Sequence, residues 1–230
     1  MHEERDSNRH PPGVRIAHWA WVLALLILVS SGLQIFDAAP YLDASDQTDP
    51  VHRLLAIGSP APGVGVTVLF GHTYVTTGWL GWVPDGLGGE SARAFPSWIT
   101  IPAYQDLADG RRWHLLFAWI FGAAWALRMA CLVRSKALGT TYAMYEPLQR
   151  GAYAVTTFVL IPLAVATGLA LSPGLDARFH WLPAIFGGRQ FARTWHFATM
   201  IALCTFFAVH TFQILTHGPI RRLRSMITGR

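Results

Sequence analysis

Cysteine is nearly absent. The 230-residue chain has two, Cys131 and Cys204, both inside apolar runs. No Cys-x-x-Cys-His occurs, which excludes covalently attached c-type haem, and two such cysteines cannot hold an iron–sulfur cluster within the chain. A disulfide is not expected. Charge is also scarce. Asp, Glu, Lys and Arg make up 13% of the residues against 52% hydrophobic, with ten tryptophans. That is the composition of a membrane protein rather than a soluble domain. The sequence has no internal repeat and no low-complexity tract. No cleavable leader is expected, because the first apolar run follows a mixed-charge stretch and is long enough to span a bilayer. The net charge of +5 fits basic residues at the cytoplasmic ends of membrane helices better than nucleic-acid binding.

Four apolar segments account for the composition. Helices are expected at about 15–36, 111–134, 148–171 and 193–217, the third carrying Pro162. A proline is tolerated there when neighbours satisfy the carbonyl that it frees. A fifth uncharged run, 64–83, has four glycines, four threonines and many β-branched residues. It reads as short strands or a folded loop rather than a helix. The basic residues decide the topology. Residues 1–17, 134–150 and 217–230 hold ten Lys and Arg in 48 positions, while 37–112 and 172–195 hold seven in 100 with nine of the thirteen acids. The positive-inside rule then puts both termini in the cytoplasm. The expected fold is a single-domain, all-α membrane protein: a four-transmembrane-helix bundle with a long periplasmic loop, 37–110, between helices 1 and 2.

Histidines supply the chemistry. His196 and His210 lie fourteen residues apart in the last segment. As a helix this is about 21 Å of rise with both side chains on nearly one face. Ionisable groups inside a membrane are costly and usually functional. With alternating helix directions, His114 falls at the outer level beside His196, and His18 at the inner level beside His210. Segment three has no histidine and is expected only to pack. Two bis-histidine sites stacked in a four-helix bundle meet the needs of two b-type haems, one iron bound by His18 and His210, the other by His114 and His196.

Three of these histidines follow an arginine by three residues: Arg15–His18, Arg111–His114 and Arg193–His196. At that spacing the two side chains share a helix face, and a guanidinium pairs bidentately with a haem propionate. Arg128, fourteen residues after His114, either pairs with an inner propionate or snorkels to the surface. His217 contacts a propionate or quinone, or simply ends its helix. His2 and His10 are read as solvated tail residues. His52, His72 and His180 lie in external loops without metal-ligand spacing.

The combination resembles the bacterial cytochrome b561 / nickel-hydrogenase-type di-haem membrane subunits, which include the formate-dehydrogenase gamma and thiosulfate-reductase cytochrome b subunits. The resemblance is carried by Arg15-Ile16-Ala17-His18-Trp19, by Arg112-Trp113-His114, and by His196 with His210. The thiosulfate-reductase-like branch is the most similar, through Phe95-Pro96-Ser97-Trp98, Thr167-Gly168-Leu169-Ala170-Leu171-Ser172-Pro173, Gly187-Gly188-Arg189-Gln190 with Ala192-Arg193, and Arg224-Ser225-Met226-Ile227-Thr228-Gly229. The resemblance implies haem b at both levels, a quinone near the inner haem, and electron exchange with an external redox subunit, often a molybdopterin enzyme. Family members commonly carry Tyr-Asn-x-x-Gln-Lys before helix three. Here the stretch is Tyr145-Glu146-Pro147-Leu148-Gln149-Arg150, which makes Glu146 and Gln149 the candidate quinone residues. A carboxylate there could exchange protons with a quinone, or could be a plain surface acid.

Three functional readings follow. The chain is an electron-transfer subunit between quinone and a periplasmic oxidoreductase, with Trp79, Trp82 and Trp98 on the docking loop. Or it is a stand-alone quinone-linked oxidoreductase that acts on a small species such as superoxide at a basic rim of Arg111, Arg112, Arg189 and Arg193. Or it is a haem-free membrane anchor or transporter with histidine proton relays.

Overall fold

The computed structural model describes residues 11–47, 50, 53–134 and 147–229. Four helices are long and apolar enough to cross a membrane: α1 (Pro12–Phe36), α2 (Leu107–Arg134), the span Pro147–Ala170, and α7 (Arg189–Thr216). Each begins before its apolar run, because polar residues extend it outward. Asp106 caps α2, its Oδ1 accepting the Asp109 N–H at 3.0 Å, as an N-cap aspartate does. Large apolar side chains stay exposed on every span, among them Ile16, Trp119, Phe158 and Phe212. Burying one such side chain is worth about 1.5–3 kcal/mol, so these faces call for lipid.

The third span is not one regular helix. It runs as α3 (Pro147–Val155), a π-turn (Thr156–Leu160) and α4 (Ile161–Ala170). Ile161 N–H reaches back five residues to the Thr156 carbonyl. In that register the Thr157 carbonyl would face Pro162, which has no N–H to give. The Trp125 indole donates to the Thr157 carbonyl instead, at 2.9 Å.

The 37–110 segment overturns the all-α expectation, since among the described residues it contains six strands. β1 (Tyr41–Leu42), β2 (Leu55–Ala61), β3 (Val64–Leu69) and β4 (His72–Val75) form an antiparallel sheet in chain order. β5 (Gly81–Pro84) and β6 (Glu90–Arg93) form a second. The cause is local. β-branched runs are closed by tight turns, and Leu69 pairs with His72 across Phe70 and Gly71, whose φ values are +48° and +80°. Two positive φ values in a two-residue turn match the twist of a hairpin. The strand or folded-loop reading of 64–83 is borne out.

Two compact units are present. Residues 11–24, 119–134, 147–163 and 199–229 form one, and 25–47, 50, 53–118 and 164–198 the other. Within the first, four helix segments pack in a ring. The Trp21 indole donates to the Phe121 carbonyl at 3.2 Å, Trp125 bonds Thr157, Tyr153 packs on Phe206 at 5.8 Å, and His18 faces His210 at 6.3 Å. The unit also contains α8 (Pro219–Thr228). The last carbonyls of α8 are taken by α1: Arg15 Nη1 donates to Ile227 O at 2.9 Å, and Trp19 Nε1 to Met226 O at 3.1 Å.

In the second unit the sheets are fastened to helix ends. Asp46 Oδ1 accepts the Gln190 N–H at 3.0 Å, and Thr194 Oγ1 donates to the Asp43 carbonyl at 2.8 Å. Two short helices, α5 (Pro173–Asp176) and α6 (Trp181–Ile185), precede α7, and Arg189 ties its start to Asp176 at 3.2 Å. The strongest fastening is Arg93, which is fully buried with Asp37, the two side chains 2.9 Å apart. Its guanidinium also donates to Gln34 Oε1 at 3.0 Å, Thr100 Oγ1 at 2.9 Å and the Ala103 carbonyl at 2.7 Å. Arg93→Met would leave a buried carboxylate unpaired, and is expected to lower stability by about 3–5 kcal/mol in thermal unfolding of the purified protein. Arg112→Met removes only an exposed pair with Asp109 and is expected to cost less than about 1 kcal/mol.

Candidate functional site

The four histidines from the spans come together as two pairs. In the first unit the ring centroids of His18 and His210 are 6.3 Å apart at an interplanar angle of 60°. In the second, those of His114 and His196 are 6.1 Å apart at 68°. Topology alone predicts this pairing. The separation is informative. A metal–imidazole bond is about 2 Å and the ring centre lies about 1 Å beyond the nitrogen, so two histidines on opposite sides of one metal sit about 6 Å apart. Among the described residues, no group of three or more His, Cys, Asp or Glu could hold a metal ion. A pair of imidazoles suits a haem iron, whose macrocycle supplies the other four nitrogens.

A ligating imidazole uses one nitrogen for the metal and must place the N–H of the other. At His114 that nitrogen is Nδ1, 3.1 Å from the Leu28 carbonyl, which can only accept. Ser31 Oγ is 3.2 Å from the same atom and gives its own proton to the Ile27 carbonyl at 2.6 Å, so it too is left to accept. His196 repeats the design. Thr167 Oγ1 lies 2.9 Å from its Nδ1 and donates to the Ala164 carbonyl at 3.2 Å. At His210 the partner of Nδ1 is Tyr153 Oη, at 3.2 Å. In all three the proton belongs on Nδ1, which leaves Nε2 as the nitrogen that could ligate a metal.

Glycines complete the second unit's pair. The residue after each buried hydroxyl is a glycine whose Cα underlies the ring. A Cβ on Gly32 would sit 3.2 Å from His114 Cε1, and one on Gly168 would sit 3.3 Å from His196 Cε1. So Ser31-Gly32 on α1 and Thr167-Gly168 on α4 each cradle one imidazole, the hydroxyl fixing its nitrogen and the glycine admitting its face.

The third span therefore does more than pack, contrary to expectation. It carries Tyr153 and Thr167, which accept from the two histidines of α7. Neither hydroxyl ligates a metal, so a search for ligands passes over both. A signal existed, since Tyr153 and Thr167 are fourteen residues apart, as are His196 and His210.

The four arginines expected at propionates are placed differently from one another. Arg15 bonds the Ile227 carbonyl. Arg193 lies over the rings of Phe36 and Tyr41, at 5.2 and 5.0 Å. Arg111 is exposed and Arg128 half-buried. Among the described residues none of the four forms an ion pair with an acidic side chain. Of the quinone candidates, Gln149 Nε2 donates to Tyr153 Oη at 3.3 Å. His217 is exposed and bonds its own helix end through Thr216 and the Gln213 carbonyl, the bland reading of that residue. Glu146 lies outside the described residues, as do His2, His10 and His52.

Gly32→Val and Gly168→Val push a side chain into an imidazole whose Nδ1 is already held. Each is expected to lower the haem-to-protein ratio of the purified chain. Gly122→Val, at a helical glycine with open space around it, is expected to leave the ratio unchanged. Pyridine haemochrome assay against protein concentration decides between them.

Comparison with known proteins gives the family. The family description "prokaryotic cytochrome b561" matches residues 9–229. The YedZ1 protein of Azospira oryzae, assigned as a protein-methionine-sulfoxide reductase subunit, is 30% identical over 227 residues, covering 96% of each chain. No solved structure matches at a significant level. The chain thus belongs to the prokaryotic cytochrome b561 family, and is a multi-pass, b-type cytochrome of the bacterial inner membrane that serves electron transfer.

Proposed function

We propose that the chain is a di-haem electron-transfer subunit that links the quinone pool to a periplasmic oxidoreductase. The carrying observation is the duplicated histidine pair, with centroids at 6.3 and 6.1 Å. In this reading His18 and His210 hold one haem b on the cytoplasmic side, and His114 and His196 hold another on the periplasmic side. The bound groups supply one-electron exchange between ferric and ferrous iron. The chain's own residues fix the ligands. Leu28, Ser31, Thr167 and Tyr153 hold the Nδ1 protons, while lipid-facing helices exclude water and keep the dielectric low. Arg15, Arg111, Arg193 and Arg128 remain the candidate propionate partners. Quinone reacts near the inner pair, where Gln149 reaches Tyr153.

The assignment of the Azospira relative as a reductase subunit supports an external redox partner, and a molybdopterin enzyme is the partner class we propose. The stand-alone superoxide reading needs an unengaged basic rim. Arg112 pairs with Asp109, Arg189 with Asp176, and Arg193 stacks on two aromatic rings, so three of the four rim arginines are already engaged.

A dithionite-reduced minus oxidised spectrum with haem stoichiometry tests the core of the proposal. Two b-type haems per chain are expected in detergent, falling to one in both His18→Ala and His114→Ala. A colourless protein would leave the anchor or transporter reading. Topology is checked separately: a reporter active only in the periplasm is expected to work when inserted at the exposed turn residue Gly88 and to be silent when fused after the C-terminus.

A further inference from the structure

We infer that Tyr153 is a positioning residue for the inner iron ligand, its hydroxyl oxygen taking the Nδ1 proton of His210 and thereby lowering the reduction potential of the haem held there. The inference rests on the two-haem reading above.

The argument starts from the hydrogen bonds. Iron ligation through Nε2 requires a neutral imidazole with its proton on Nδ1. Tyr153 Oη is 3.2 Å from that atom and so accepts. Gln149 Nε2, 3.3 Å from the same oxygen, can only donate. A phenol oxygen has two lone pairs and can accept from both, with its own O–H turned elsewhere. The amide thus holds the hydroxyl in the accepting orientation. Two ring contacts then fix the imidazole plane. Phe206 stacks on His210 at 5.7 Å and 9°, and Tyr153 meets it edge-on at 5.8 Å and 77°.

The acceptors of the other pair are of another type. His114 has the Leu28 carbonyl and Ser31 Oγ, and His196 has Thr167 Oγ1; both hydroxyls are aliphatic and are themselves held by carbonyls of their own helices. At His210 the acceptor is a side-chain phenol, and a single atom change deletes it. Donating Nδ1–H to an acceptor makes the imidazole a stronger electron donor, which favours ferric iron. Removing the acceptor moves the equilibrium toward ferrous iron. The inner potential thereby depends on one phenol oxygen, which a single substitution removes.

The test is a redox titration of the detergent-purified chain, followed by the visible spectrum, with low-temperature electron paramagnetic resonance of the oxidised protein. In Tyr153→Phe we expect two haems retained and one midpoint raised. The expected change is about tenfold in the reduction equilibrium, about 59 mV for one electron. One low-spin ferric signal moves and the other stays in place. Tyr153→3-fluorotyrosine keeps the ring and the oxygen but weakens the oxygen as an acceptor. It is expected to give a smaller rise of the same sign, and reads the hydrogen bond even if the phenylalanine variant loses its haem. Unchanged potentials and signals in the fluorotyrosine variant, or in a phenylalanine variant with both haems, would overturn the inference and reduce Tyr153 to packing. Failure of the underlying reading looks different. The wild type would then carry fewer than two haems, or His210→Ala would keep both.

Discussion

A buried imidazole has one nitrogen to offer and one N–H that must be placed, and this requirement orders the helix contacts around both pairs. In lipid an unplaced N–H costs several kcal/mol, and for three of the four paired histidines a neighbouring helix supplies the acceptor. His114 of α2 draws Leu28 and Ser31 of α1 against it. His196 and His210 of α7 draw Thr167 and Tyr153 of the third span. Each of these hydrogen bonds is at once a helix–helix contact and the choice of which imidazole nitrogen carries the proton. Small residues follow from the same need, because a helix close enough to offer its hydroxyl is close enough to meet the ring. Gly32 and Gly168 stand where a side chain would meet it.

The third span shows how far the backbone yields to keep these partners in place. Pro162 removes one N–H from the helix, and the register widens to a π-turn over Thr156–Leu160. The Trp125 indole supplies a donor to the Thr157 carbonyl, so the disturbance is satisfied by a neighbouring helix rather than by water. The histidine partners flank the turn, with Tyr153 before it and Thr167 after it. A helix without a single ligand thereby orients both histidines of α7.

Outside the spans the sheets hold the helix ends of their own unit. A buried Arg93 gathers Asp37, Gln34, Thr100 and the Ala103 carbonyl, joining the end of α1 to β6 and to the chain that leads into α2. Asp43 and Asp46 reach the first turns of α7. A buried ion pair is weak evidence for stability in itself, but here its loss would release the segment that seats α1 and α2, and with them Ser31, Gly32 and His114. The 37–110 segment is therefore part of the scaffold that seats His114 and its hydrogen-bond partners.

Much of this was legible in the one-dimensional string, for definite reasons. Apolar runs report spans because lipid admits only chains that satisfy their own backbone. The fourteen-residue spacing of His196 and His210 reports a shared helix face because the α-helical repeat is rigid, and alternating helix direction then names their partners. Turn residues and β-branched runs marked 64–83 as extended chain. Other features depended on which helix lies beside which. Ser31, Thr167 and Tyr153 are ordinary membrane-helix residues until a histidine stands opposite them. Arg15 shares a face with His18, yet it bonds a helix end more than two hundred residues away. Arg93 is one arginine in a polar loop until folding buries it against Asp37. The sequence by itself determined the spans and the pairing of the histidines, since these follow from local periodicity, composition and the alternating direction of the helices. Only the tertiary structure decided how His114, His196 and His210 are held, since an acceptor for a buried N–H is defined by proximity in space and leaves no mark on the spacing of the residue that needs it.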